Sequence, residues 1–167
     1  MHGYQVAREL AAGRGLGLVC PLGMSNVYFL VGSLQERGLV KVEARQEDRY
    51  PPRVLLRTTP AGRQAFDAWL REPVTRLRQV RLDFLVKLFF LGREDPALAH
   101  ELIEAQKGFC RRYLSEWRDL AESADPASFD RLAVEAKIAV GEGTLRWLEQ
   151  CERSLAAATA AERGSES

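Results

Sequence analysis

Three arginines, Arg45, Arg49 and Arg53, recur at four-residue intervals around Pro51-Pro52. Two prolines and a charged run cannot continue a strand ladder, so residues 46–52 are expected to form an exposed, proline-stiffened loop. Guanidinium groups held on such a tip suit contact with phosphate oxygens rather than with base edges. Other chemistry finds little support. His2 and His100 are the only histidines and no C-x-x-C pair accompanies them, so neither a metal site nor a bound cofactor is expected. Gly13-Arg14-Gly15-Leu16-Gly17 lacks the G-K-[ST] ending of a phosphate-cradling loop and is expected to be a flexible turn. No nucleophile elbow is present, and an enzyme is not predicted.

The elements around the arginines explain how they would be presented. Ser25 is a plausible N-cap, and Val27, Leu30, Val31 and Leu34 follow at i, i+3, i+4, i+7, which predicts a short helix with one apolar face. Its other face carries Asn26, Phe29, Ser33 and Glu36, with Tyr28 and Gly32 at the margin. Arg37-Gly38 closes it, because glycine accepts the left-handed backbone just past a helix end. Residues 4–12 supply a partner helix through Tyr4, Ala7, Leu10 and Ala11. After Gly38 the period becomes two: Val40, Val42 and Ala44 alternate with Lys41, Glu43 and Arg45, and residues 53–58 can return beside them. Thr59-Pro60 then opens a helix by a hydroxyl cap and a proline at the first helical position, followed by Arg63, Phe66, Trp69 and Leu70 in register. Helix, hairpin with a basic tip, capped helix is the layout of a winged helix-turn-helix, and DNA binding is the first expectation.

Gly3-Tyr4 with Ala7 and Leu10, Val27-Tyr28, Leu34, Gly38-Leu39-Val40 and Thr59-Pro60-Ala61-Gly62-Arg63 resemble the PadR family of bacterial transcriptional regulators. The likeness spans residues 1 to about 70, and residues 80–88 are similar to the opening of that family's helical C-terminal region. The resemblance implies a homodimeric winged-helix repressor, with the helix from Ser25 in the major groove and the hairpin tip over the phosphate backbone. The DNA-binding set it implies is Ser25, Asn26, Tyr28, Phe29, Ser33, Lys41, Arg45, Arg49 and Arg53. The chain departs from the family in three ways. A helix usual before the Gly-Tyr segment has no counterpart, which predicts a translation start upstream of Met1. Ser25 and Phe29 stand where glycine and proline are usual. Gly32 and Ser33 replace basic residues, so base contacts would rest on Asn26, Tyr28 and Ser33.

Charge is distributed as this picture requires. Residues 1–78 hold 12 Lys/Arg against 7 Asp/Glu, a balance of +5, while residues 79–167 hold 12 against 16, a balance of −4. The longest apolar run, Leu88-Phe89-Phe90-Leu91, is far short of the roughly 20 residues of a spanning helix, and no secretory apolar segment opens the chain, so a cytoplasmic protein without a membrane partner is expected. Cys20, Cys110 and Cys151 suit small buried hydrophobes, with a thiol sensor at Cys20 as the alternative.

The fold expected is mainly α with a small two-stranded β-hairpin: a winged helix-turn-helix (1–75), C-terminal antiparallel helices forming a dimerisation domain (76–160), and a disordered tail (161–167). Residues 80–92 read as a buried connector covered on several sides, with Leu82, Leu85, Leu88 and Phe89 in one stripe and Phe84, Val86 and Leu91 filling much of the remaining circumference. Asp95-Pro96 and Asp125-Pro126 each start a helix. The first carries Leu98, Leu102, Ala105, Phe109, Tyr113, Trp117 and Leu120 on one face. The second carries two stripes, 129/132/136/140/143/147/151 and 134/138/145/148/155, an apolar arc wider than one neighbour needs, which predicts a two-fold dimer suited to a palindromic operator. In some relatives aromatic side chains near the dimer centre hold a flat molecule, and Phe109, Tyr113, Trp117 and Trp147 are the candidates for a small aromatic effector here. Plain packing of aromatics at helical spacing is the competing and favoured reading. A helical dimerisation or adaptor protein that has lost DNA binding is the alternative function.

Overall fold

The computed structural model describes residues 3–11, 13, 15–46 and 53–165. It divides into two compact units, Met1–Arg71 and Glu72–Ser167. The division precedes the expected boundary at 75/76, because the hydrogen bonds of Glu72 and Val74 run to the second unit's own helices.

The first unit runs α1 (Gly3–Ala11), α2 (Leu16–Val19), α3 (Met24–Glu36), β1 (Val40–Gln46), β2 (Arg53–Thr58) and α4 (Pro60–Arg71). Helix α1 packs on α2 and α3 and touches β2, with Ala7 and Val27 buried. Between α1 and α3 the sequence predicts only a turn. The structure instead adds the single turn α2: Gly13 and Gly15 take φ of 61° and 55°, and the Cys20 N–H bonds the Leu16 carbonyl at 2.8 Å.

Helix α3 also starts earlier than expected. Gly23, not Ser25, is the N-cap residue, and Val27 N–H closes the first turn on the Gly23 carbonyl at 3.1 Å. Ser25 therefore lies inside the first turn with its side chain exposed and caps nothing. The expected inner face is only partly buried: Val27 is enclosed, Val31 and Leu34 are half-buried, and Leu30 is 45% exposed. The C-terminus is a full Schellman motif. Gly38, at φ 69°, bonds the Gln35 carbonyl and Leu39 bonds the Leu34 carbonyl, both at 2.9 Å.

The hairpin is antiparallel, with Val40 opposite Thr58 and Val42 opposite Leu56, but Ala44 is opposite Leu55. Glu43 is thus the extra residue of a β-bulge, and the simple alternation expected across residues 40–45 slips by one there. Gln46, expected in the loop, closes β1.

At the base of the hairpin Thr59 gathers three elements. Its N–H bonds the Leu39 carbonyl at 3.0 Å, its hydroxyl donates to the Gly38 carbonyl at 2.7 Å, and the same oxygen accepts the Gly62 N–H at 3.0 Å, capping α4. Gly62 is buried there, and a Cβ on it would overlap the Leu39 carbonyl.

The second unit begins with α5 (Leu77–Gln79), a π-helical turn at Val80–Phe84 and α6 (Leu85–Glu94), followed by α7 (Pro96–Ser123) and α8 (Phe129–Ser165). Of the apolar positions expected to be covered, Phe84 and Leu91 are fully enclosed, while Leu85, Val86, Leu88 and Phe89 are half-buried. The buried positions are Val80, Phe84, Lys87 and Leu91, and Leu82 is exposed. Lys87 is covered because its ammonium donates to the Glu72 carbonyl, which a hydropathy pattern cannot anticipate.

Asp95 caps α7 as expected, accepting the Leu98 N–H at 3.0 Å. Asp125-Pro126 instead forms a turn, and the hydroxyl of Ser128 accepts Arg131 N–H at 3.1 Å to open α8. Helix α8 continues to Ser165 where a disordered tail was expected from 161, and its alanine-rich run 156–161 favours helix.

Helices α7 and α8 are antiparallel, as the pairs Lys107–Glu152 and Arg118–Glu142 show. The buried face of α7 is Ala99, Leu102, Ile103, Gln106, Lys107, Cys110 and Leu114, one step round from the expected stripe, whose Phe109, Tyr113 and Trp117 are half-buried. On α8, Val134 and Leu148 face the chain's own core, whereas Phe129, Leu132 and Val140 are 80, 63 and 57% exposed. Leu148, expected among the residues that demand a second chain, is an intrachain core residue.

The Thr59 junction predicts an ordering of variants. Thr59→Ala should lower stability by about 1 kcal/mol through removal of the cap. Gly62→Ala should cost clearly more, because the backbone it meets cannot yield, while Gly32→Ala, with open space around it, should gain about 0.5–1 kcal/mol from helix propensity. Thermal unfolding followed by circular dichroism checks the order.

The α7–α8 pair predicts a pH dependence. Lys107, buried, bonds Glu104 and, at 2.8 Å, Glu152. Its partners, Glu104 first, raise the Lys107 pKa, and Lys107 holds the Glu152 carboxyl below its usual value. The Glu152 contribution is complete above the ordinary carboxylate value of about 4.3 and is lost as pH falls through its lowered folded value. The Lys107 contribution is complete below its ordinary value and is lost as pH rises through the raised one. Glu152→Gln should therefore be less stable than the parent at neutral pH, with the difference closing below pH about 4. Urea unfolding across that range checks it.

Candidate nucleic-acid interface

A short helix followed at once by a hairpin can present a surface only if the turn between them is fixed, and the Schellman closure of α3 and the Thr59 bonds fix it on both sides. The outer face of α3 then carries Ser25, Asn26, Tyr28 and Phe29, all exposed, with Phe29 at 76% and Tyr28 at 54%. Ser33 is half-buried on the same helix. Asn26 is exposed, and no bond to its amide is made by the described residues, so its donor and acceptor are open to a partner.

An exposed phenylalanine on a helix with so little polar cover contributes contact area without direction. The directional groups on this face are Asn26, Tyr28 and the two serines. No Lys or Arg lies between Met24 and Glu36, so the helix brings no charge of its own to a phosphate.

The basic groups come from the hairpin. Lys41 is exposed on β1, opposite Arg57 on β2. Arg57 was not among the expected contacts. It is 65% exposed in its side chain and pairs with Glu43 at 3.0 Å across the bulge. Its cross-strand position beside Lys41 was the available signal, and the one-residue slip at Glu43 obscured it. Arg45 and Arg53 occupy the last rungs of the ladder, opposite Val54 and Gln46. Arg49 lies outside the described residues, as does the proline pair.

The aromatic residues of the second unit are not gathered in one place. Tyr113 and Trp117 adjoin on α7 with ring centres 5.8 Å apart, and the Lys137 ammonium lies 5.0 Å from the Trp117 ring. Trp147 instead meets Phe84 edge-on at 5.8 Å. Phe109 is half-buried on α7. A groove of ≈ 210 Å³ between α7 and α8 is lined by Arg111, Arg118, Arg146, Glu142, Glu149 and two leucines, with Arg118 bound to Glu142 at 2.7 Å, and contains none of the four.

The thiols differ in setting. Burial raises the pKa of Cys110, and that of Cys151 to about 11, which disfavours the reactive thiolate at neutral pH. Cys20 is half-buried just before α3. No helix among the described residues is long and apolar enough to cross a membrane.

Residues 80–156 match the family model described as Virulence activator alpha C-term, which covers most of the second unit. No curated protein sequence matches the chain. Among solved structures, Bacillus subtilis PadR in complex with operator DNA is 18% identical, with a TM-score of 0.42 over 93% of this chain and 91% of that one. The same protein in complex with p-coumaric acid is 18% identical, at 0.40 over 93% and 90%. Residues 80–156 are thus similar to the C-terminal domain of virulence activators.

Proposed function

We propose that the chain is a PadR-like transcriptional regulator that binds double-stranded DNA, acting in the cytoplasm as a homodimeric repressor on a palindromic operator. The observation that carries this reading is the outer face of α3, free of intrachain cover, held by a Schellman closure against the base of a basic hairpin. In it α3 enters the major groove with Ser25, Asn26, Tyr28, Phe29 and Ser33, while Lys41, Arg45, Arg49, Arg53 and Arg57 meet phosphates. Bacillus subtilis PadR has been seen with operator DNA and with p-coumaric acid. A small aromatic effector that releases the DNA is part of the proposal, with Phe109, Tyr113, Trp117 and Trp147 as its candidate contacts.

The dimer is supported by the exposed apolar residues Phe129, Leu132 and Val140, which share one face of α8. Leu132→Asp should give a folded monomer with an unchanged helical spectrum. Leu148→Asp should instead unfold the second unit, since a charge buried without a partner costs several kcal/mol. Sedimentation equilibrium with circular dichroism separates the two outcomes.

The DNA-binding reading is tested by a variant series titrated at several salt concentrations. Arg49→Ala should weaken binding to operator and random duplexes alike and lower the salt slope by about one for each phosphate no longer neutralised, about two per dimer. Asn26→Ala should reduce operator affinity more than random affinity, by about 1–3 kcal/mol for a bidentate contact. A folded dimer with no salt-sensitive binding to any duplex from its own upstream region would favour a helical adaptor without DNA binding.

A further inference from the structure

The segment that opens the second unit is not a loose tether. Residues 72–76 contain a proline and carry no regular secondary structure, the usual description of a flexible linker. Yet Val74 is buried, and both of its backbone groups are bound by one side chain: the Gln106 carboxamide oxygen accepts the Val74 N–H at 2.8 Å, and its NH₂ donates to the Val74 carbonyl at 2.9 Å. Gln106 is fully buried on α7, where a hydrophobic residue would be the ordinary occupant. Two residues earlier, the buried Lys87 ammonium of α6 holds the Glu72 carbonyl. Two long polar side chains have been taken out of water for one stretch of backbone.

We propose that Gln106 and Lys87 form a clamp that makes residues 72–76 a stiff coupler, so that a displacement of α7 against α6 is carried to the point where the chain passes into the first unit. The carboxamide reproduces the pairing of a neighbouring β-strand, one donor and one acceptor on one residue, and its geometry tolerates little sliding. Downstream, the π-turn places fully buried Phe84 edge-on against Trp147 of α8, so the coupler is tied to three helices within twelve residues. Gln106 acts as a positioning residue, through the Val74 backbone. A ligand that moves α7 or competes for this carboxamide would loosen the coupler without touching the DNA-binding face. The regulatory consequence rests on the DNA-binding reading above, whereas the clamp itself does not.

The test compares the full chain with Gln106→Met, which keeps the side-chain volume and removes both bonds, and with Leu114→Ala, which weakens α7–α8 packing elsewhere. Hydrogen exchange is followed at residues 74–76 and along α7. Gln106→Met should speed exchange at 74–76 about tenfold or more while α7 stays protected, and Leu114→Ala should speed both together. Uniform acceleration by Gln106→Met, or none at 74–76, would overturn the clamp. In a parent chain that binds DNA, Gln106→Met should also weaken binding to a duplex with two half-sites while leaving a single half-site unaffected; equal affinity for the two-site duplex would overturn the coupling. A parent that binds no duplex defeats the DNA-binding reading instead, and the exchange result still decides the clamp.

Discussion

The arrangement of the first unit depends on one carbonyl, that of Leu39. It closes the base of the hairpin by accepting the Thr59 N–H, and it lies where only a glycine at position 62 lets α4 approach. Hairpin base and helix start are thereby referred to one peptide group, and the helix end to the peptide just before it, through the Leu39 N–H. With Ala7, Val27 and Leu70 as its well-buried apolar side chains among the described residues, the unit has a thin core, and polar closure takes a larger share of defining its geometry than it would in a bigger domain. If the peptide at Leu39 moved, the angle between α3 and the hairpin would change, and on the proposed function that angle determines whether the groove and phosphate contacts can be made together.

The second unit uses a different device for a similar end. Its core between α7 and α8 is apolar in the middle, but polar atoms fix its edges: Lys107 between Glu104 and Glu152, Arg118 on Glu142, and Gln106 on Val74. Arg118 and Glu142 are exposed, and the buried Gln106 and Lys107 contribute little net stability, because desolvation offsets most of their bonding. The apolar stripe left outside, at Phe129, Leu132 and Val140, is then free to serve association.

Much of this was legible in the sequence wherever a local rule governs. Gly38 past a helix, Thr59-Pro60 before one and Asp95 at the start of α7 behave as their chemistry dictates, because each acts within four residues of its partner. The elements that misled are those governed by distant partners. The buried stripe of α7 includes Gln106 and Lys107, so an apolar pattern reads the neighbouring, half-exposed aromatic stripe as the core. Lys87 is buried for the sake of a carbonyl fifteen residues away, and the π-turn at Val80–Phe84 rotates the connector so that Leu82 faces outward. In the candidate interface, exposure of Asn26, Tyr28 and Phe29 follows the helical period, whereas the bulge at Glu43, which brings Arg57 into consideration, leaves no compositional mark.

The central claim is that α3 reads the major groove from each half of a dimer. Methylation interference on a duplex from the upstream region measures this directly, since guanine N7 lies on the major-groove edge. The account predicts interference in two blocks related by a dyad, with centres about 10–10.5 base pairs apart or a multiple of that. Binding that is indifferent to N7 methylation throughout the protected region, or confined to one block for a dimer, would contradict it.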